Sequence, residues 1–293
     1  MSVNCLLDTV FLCYNTVMSN NEGRKRETRV TIKDVAKAAG VSIATVSYVL
    51  NNKPGQSISE DTRKKVLQFA NLLGYECNIM AKYLATGKTN TIAAVVKDIN
   101  PFAAHYYLKL LTELSRILQR RNYDLRLVDY HGGLQRGSDC DAYVTLALDE
   151  AEFRTFADTK YVPVVAIDSM FDDFLFYRIN DDFAALKASA AADFETDDIT
   201  LLSFELARES REFAESVFGK VKIINNLSDI SDLDPAAHYA TVSSYVYENA
   251  IGVAENIKLA SASFALKASA AAEAAINAIN RVNASHVEHN IKI

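Results

Sequence analysis

Cysteine is scarce in this chain. Cys5, Cys13, Cys77 and Cys140 are four in 293 residues, too scattered for a disulfide framework or a zinc knuckle. A reduced, cytoplasmic protein is the simpler expectation. The five histidines, His105, His131, His238, His286 and His289, form no ligand cluster, and the last two are read as flanking a terminal strand. No metal and no cofactor is therefore expected. Long apolar runs are missing as well. The N-terminal patch CLLDTVFLCYNTV is interrupted by Asp8 and Asn15 and has no basic leader, so it makes neither a membrane span nor a good secretory signal. The chain also lacks a glycine-rich phosphate loop, a nucleophile elbow and an HExxH pattern, and its aspartates are dispersed, so no enzyme is expected.

Cationic charge is in deficit overall, with 31 Lys and Arg against 37 Asp and Glu. Its distribution is uneven. Residues 1–90 hold 12 basic against 7 acidic side chains, a net of +5, and the remaining residues hold 19 against 30, a net of -11. The basic end can approach phosphate, whereas the acidic remainder is repelled from it. At 49% hydrophobic content the chain is long enough for a small domain and a larger one with its own core.

The stretch Thr31 to Asn51, TIKDVAKAAGVSIATVSYVLN, reads as a complete helix-turn-helix. Thr31 caps a first helix, and Asp34 sits where its carboxylate supports the positive helix end. Val35, Ala36 and Ala39 supply the apolar face, and Gly40 provides the left-handed stop. Ser42 caps a second helix, whose Val46, Val49 and Leu50 face inward while Ile43, Ala44, Thr45, Ser47 and Tyr48 face out. A small, neutral outer face can lie deep in a major groove. An ordinary helical hairpin is the alternative. Ser59 caps a third helix, Glu60 to Leu73, which Gly74 ends. Asn78 to Leu84 is a short helix candidate between Asn78 and Gly87, too short to be stable alone. Arg24, Lys25, Arg26 and Arg29 form a basic arm that attracts phosphate or is merely solvated.

These motifs resemble the DNA-binding headpiece of the lactose- and galactose-repressor (LacI/GalR) family, and the likeness continues through EDTRKKVLQFANLLGY and NIMAKYLATGKTNTIAAVV. It covers nearly all the chain after about Arg29 and is most specific in the first third. Met18 stands where the family usually starts, which makes the preceding residues an upstream start or a loose extension. The resemblance implies a transcription regulator, most simply a repressor, that binds a palindromic double-stranded operator as a homodimer. Ile43, Ala44 and Tyr48 take the base-reading positions, the first two by apolar contact and Tyr48 by one hydrogen bond. Thr31, Ser42, Thr45, Ser47, Asn51, Tyr75 and Asn78 become phosphate anchors. Ala81 and Leu84 become the minor-groove hinge, with Leu84 as a wedge between base steps. Cys77 departs from the family's usual proline at the hinge entry. The expected domains are an extension over 1–29, a helix-turn-helix domain over 30–76, a hinge and linker over 77–90, and a body over 91–293.

From Thr91 onward, apolar runs alternate with amphipathic segments. Ile92–Val96, Leu125–Val128, Tyr143–Leu146, Val162–Ile167 and Ile199–Phe204 read as buried parallel strands, with Tyr106–Arg120 and Ala184–Phe194 as crossover helices. The fold class is thus an all-α headpiece plus an α/β body. By resemblance that body is periplasmic-binding-protein-like, with two Rossmann-like lobes around a cleft, and it dimerises near Phe102 to Arg120. The octapeptide ALKASAAA occurs at 185–192 and again at 265–272, either marking related positions in two lobes or reflecting alanine-rich helix alone.

A small sugar-like or metabolite effector is implied by the resemblance, held by Asp98 and Phe102 on the first loop, Asp168, Asp181, Arg208 and Tyr247. Tyr247 stands where the family usually has an aspartate, and Glu212 and Phe213 occupy a glycine-aromatic pair whose preceding arginine is displaced. The segments between Phe218 and His238 and around Leu259 are trimmed. A shrunken cleft that binds nothing, or a body controlled by a protein partner such as a phosphocarrier, is the alternative.

Overall fold

The computed structural model describes residues 30–51, 57–75, 87–134, 138–260, 263–281 and 289–293. The chain divides into two compact units, Met1–Ala81 and Lys82–Ile293. The expected hinge over Asn78 to Leu84, including Ala81, lies outside the described residues, as do the basic arm and Cys77.

In the first unit, helices α1 (Ile32–Ala39), α2 (Ile43–Leu50) and α3 (Glu60–Leu72) pack on one another. Each starts where its sequence dictates. The Asp34 carboxylate accepts from the Thr31 backbone N–H at 2.9 Å and from its hydroxyl at 2.7 Å. Ser42 and Ser59 accept from the N–H groups of Thr45 and Thr62. Gly40, at φ 65°, closes α1 in the left-handed region, and the Val41 N–H reaches back to the Ala36 carbonyl. Val35, Ala36, Ala39, Val46, Val49, Val66 and Ala70 form the small core.

The second unit holds two all-parallel sheets. The six-stranded sheet has the order β10-β5-β4-β3-β1-β2, from β1 (Thr91–Val96), β2 (Asp124–Asp129), β3 (Ala142–Leu146), β4 (Val164–Ile167), β5 (Tyr177–Asn180) and β10 (Asn290–Lys292). The four-stranded sheet has the order β7-β6-β8-β9, from β6 (Ile199–Ser203), β7 (Val221–Ile223), β8 (His238–Thr241) and β9 (Asn256–Leu259). The chain passes from the first sheet to the second through α7 (Phe183–Phe194) and returns through α11 (Ser263–Ile279), which packs on α4 (Pro101–Arg120) and on β3, β4 and β5. Each copy of ALKASAAA lies in one of the two helices that carry the chain between the sheets. The remaining helices are the short α5 (Tyr130–Gly133), α6 (Glu150–Ala157), α8 (Arg208–Phe218), α9 (Leu227–Ser231) and α10 (Ser244–Ala250). One buried cluster runs from α4 and the first sheet into the second.

Three expectations change. The segment around Leu125–Val128 is the sheet edge, with Leu127 61% exposed, because among the described residues no further strand covers β2. Helix α4 begins at Pro101, since Asn100 caps it and proline suits the first turn, so Phe102 is on a helix and not on the preceding loop. The fourth strand starts after Pro163, at Val164.

Candidate nucleic-acid interface and ligand cavity

On α2 the burial alternates as the helical period requires: Val46 and Val49 are buried, while Ile43, Ala44 and the Ser42 cap are exposed and Thr45, Ser47 and Tyr48 are half-buried. Ile43 is 46% exposed, a large apolar side chain at the start of a helix that packing leaves unused. The polar neighbours bond locally. The Thr45 and Ser42 hydroxyls lie 2.9 Å apart, and Asn51 Nδ2 donates to the Ser47 carbonyl at 2.8 Å. Neither α1 nor α2 carries a charged side chain at its outward start except Lys33 and Asp34, and Asp34 is held within its own cap. The Thr31 hydroxyl and backbone keep that carboxyl below the usual aspartate range. Thr31 is exposed, and Tyr75 is half-buried against the small core. Asn78, Ala81 and Leu84 lie outside the described residues.

The six residues assigned to an effector are dispersed by the fold. Asp98 and Arg208 are exposed, the latter beside Glu209, and Tyr247 is half-buried on α10. Phe102 is buried in the core, its ring 5.0 Å from that of Tyr245. Only Asp168 and Asp181 come together, and what joins them is Lys267 of α11, fully buried. Its ammonium donates to Asp181 at 2.6 Å and, closer still, to Asp168. The Tyr107 hydroxyl donates to Asp168 at 3.0 Å, and Ser263 donates to Asp181 at 2.8 Å. Burial works to strip the proton from Lys267, but the two carboxylates override it and hold the ammonium well above the ordinary lysine range. Burial likewise pushes the Tyr107 phenol well up. Asp168 sits at φ 55°, a left-handed conformation that costs a residue of its type about 1 kcal/mol or more and survives because these partners fix it. Nothing in the sequence flags Lys267, since a lysine in an alanine-rich helix reads as a solvated face.

Next to this cluster, at the carboxyl ends of β4 and β5, lies a cavity of about 320 Å³. Asp181 belongs to its lining, with Arg178, Asn180, Glu209, Phe213 and Lys292. Carboxyl ends of parallel strands are where such folds place ligands.

Residues 31–78 match the family model described as bacterial regulatory proteins, lacI family. Among curated proteins the chain is 52% identical over 71 residues to the HTH-type transcriptional regulator GalS of Salmonella typhimurium, covering 24% of this chain and 20% of that one. It is 40% identical over 98 residues to catabolite control protein A of Priestia megaterium, covering 33% and 28%. It is 28% identical over 159 residues to the uncharacterized HTH-type transcriptional regulator YvdE of Bacillus subtilis, covering 54% and 49%. The chain thus spans between a fifth and a half of the length of these relatives. Among solved structures, the lac repressor dimer bound to operator and the anti-inducer ONPF aligns over 91% of this chain and 96% of its own, with TM-score 0.58 and 16% identity, a likeness of fold. The segment that forms α1 to α3 therefore lies within the residues that match the lacI family model, and the likeness in sequence is concentrated there.

Proposed function

We propose that this chain is a sequence-specific DNA-binding transcription regulator, a repressor that binds a palindromic operator as a homodimer. The observation that carries this reading is the outward face of α2, where Ile43, Ala44 and Tyr48 stand on a capped helix within the matched segment. Ile43 and Ala44 read thymine methyl groups, and Tyr48 makes one hydrogen bond to a base edge. Thr31, Ser42, Thr45, Ser47, Asn51, Tyr75 and Asn78 fix the register on phosphates. Leu84 enters the minor groove as a wedge, with Ala81 beside it. One headpiece spans too few base pairs to be selective against a genome, so two act together. The protein works in the cytoplasm, and the body behind the headpiece tunes DNA binding through a small hydroxylated effector. The cavity whose lining includes Asp181, beside Asp168, supports the effector reading.

The test is enrichment of random duplex oligonucleotides by the full chain at moderate salt. A palindromic consensus with half-sites about one helical turn apart is expected. Recovery of no preferred sequence overturns the reading.

A further inference from the structure

The two lobes of the body meet over a packed seam. Helix α4, capped by Asn100 beyond the carboxyl end of β1, carries Phe102, His105, Tyr106 and Tyr107 in its first two turns, and all four touch rings of the second lobe. Phe204, just past the carboxyl end of β6 and 1% exposed, seats its ring 4.9 Å from that of Tyr106 and 5.6 Å from that of Tyr107. Tyr245 of α10 lies 5.0 Å from Phe102 and stacks on His105 at 4.3 Å. The buried apolar cluster is consequently continuous from one sheet to the other, where a water-filled cleft would divide it in two.

Polar contacts pin the seam on two sides. Beside α4, Asn100 Nδ2 donates to Asn225 Oδ1 at 3.0 Å and Lys109 donates to Ser244 at 2.8 Å. Beside β4 and α6, the Ser210 hydroxyl donates to the Asp168 carbonyl at 3.1 Å, and Glu209 accepts from the Glu150 N–H at 3.2 Å. Strands β1 and β4 are separated by β3 in the sheet, so parting the lobes must break at least one set while it withdraws Phe204 from between the tyrosines. The segments about which the lobes would turn are themselves tied. Ser263 and Lys267, where the chain returns to the first lobe, both hold Asp181, which stands where the chain leaves it.

We propose that the body is shut by its own side chains, with Phe204 as the resident occupant of the space between the lobes. The lobes do not part in the free protein and do not turn when DNA binds. Opening would return several aromatic rings to water, the dominant unfavourable change for a packed apolar seam, and would leave the Asp168 carbonyl and the Glu150 N–H without these partners. An effector in the cavity beside Asp181 therefore meets a body already closed and acts without a lobe rotation. The inference goes beyond the proposed DNA-binding function and does not depend on it.

The chain contains no tryptophan, which allows a clean probe. Phe204→Trp in the full chain places a sole indole at the seam, and the two rings that flank that position come from the other lobe, so its accessibility reports lobe separation. The expected result, in the protein alone, is emission shifted to the blue of the urea-unfolded chain and loss of most of the acrylamide quenching seen in urea. Neither should change when the operator duplex recovered by oligonucleotide enrichment is added. Should the larger indole prevent folding, which circular dichroism shows, Tyr245→Trp reads the same seam from α10, where the position is half-buried. An indole quenched in the folded protein as freely as in urea overturns the proposal, and so does emission that shifts when the duplex binds. The measurement on the protein alone needs no duplex, so failure of the operator enrichment leaves this inference decided on its own evidence.

Discussion

Lys187 and Lys267 occupy the same place in the repeated octapeptide and meet opposite surroundings. Lys187 is half-buried and donates to the Val217 carbonyl at 2.8 Å, near the end of α8, while Lys267 is enclosed between two aspartates. Lys267→Met leaves two buried carboxylates without a cation and should cost about 3–5 kcal/mol in urea unfolding. Lys187→Met, which frees a carbonyl near solvent, should cost about 1 kcal/mol. The sign with pH follows from the ammonium, whose folded value lies above its unfolded one. Its contribution is fully present below the ordinary lysine pKa of about 10.4 and is lost only as pH rises through the higher folded value. Burial already holds the Asp168 carboxyl above its ordinary range against the pull of Lys267, and removing the ammonium removes that opposition, so the variant's deficit should shrink as pH falls toward the ordinary carboxylate value of about 4. A deficit independent of pH would assign the loss to packing. None of this was legible in the octapeptide, because identical neighbours in sequence say nothing about which strand ends a lysine will face. Asp168 and Asp181 could be singled out, but the cation that joins them lies 99 and 86 residues away. If the proposed reading of α2 holds, Tyr48→Ala relaxes choice at one or two base pairs per half-site by roughly 1–3 kcal/mol, measured by competition among operator variants.

The headpiece helices could be read almost residue by residue, because their limits are local chemistry. Thr31, Ser42 and Ser59 cap, and Gly40 and Gly74 stop, at φ 65° and 67°. Gly40→Ala meets no steric obstacle nearer than the tip of Lys65, so its cost is the backbone conformation, about 1 kcal/mol or more in thermal unfolding of the headpiece. Asp34→Asn should cost about 1 kcal/mol at neutral pH. Because Thr31 depresses the Asp34 value, the wild-type advantage is present above the unfolded pKa of about 3.9 and disappears as pH falls through the lower folded one. The body was legible where strands are buried on both faces, as in β1, β3 and β4, each a continuous apolar run. It was illegible at β5, β7, β8 and β9, three or four residues each, where Arg178, Lys222, His238 and Lys258 break the pattern. Such strands are specified by the neighbours they join, a property of the assembled sheet.

At the scale of the molecule the decisive property is the separation of charge, +5 over residues 1–90 against -11 beyond. The assigned phosphate anchors of the helix-turn-helix are neutral hydroxyl and amide groups, which position the duplex without releasing counterions. The salt dependence of operator binding must then come from other side chains, chiefly lysines such as Lys33 and Lys37 on α1 and the sequence run Arg24, Lys25, Arg26, whose structure lies outside the described residues. Each cation that engages a phosphate contributes about 0.9 to the slope of log K against log salt. Replacing Arg24, Lys25 and Arg26 together by glutamine should therefore weaken operator and random duplex alike and flatten the slope by up to about 2.7. Tyr48→Ala, in contrast, should leave the slope unchanged while eroding the preference for operator, because a base contact displaces no counterion. Fluorescence anisotropy between roughly 50 and 200 mM salt resolves both effects. A slope untouched by the triple replacement would make the basic run a solvated tail and place the electrostatic attraction on the helices alone.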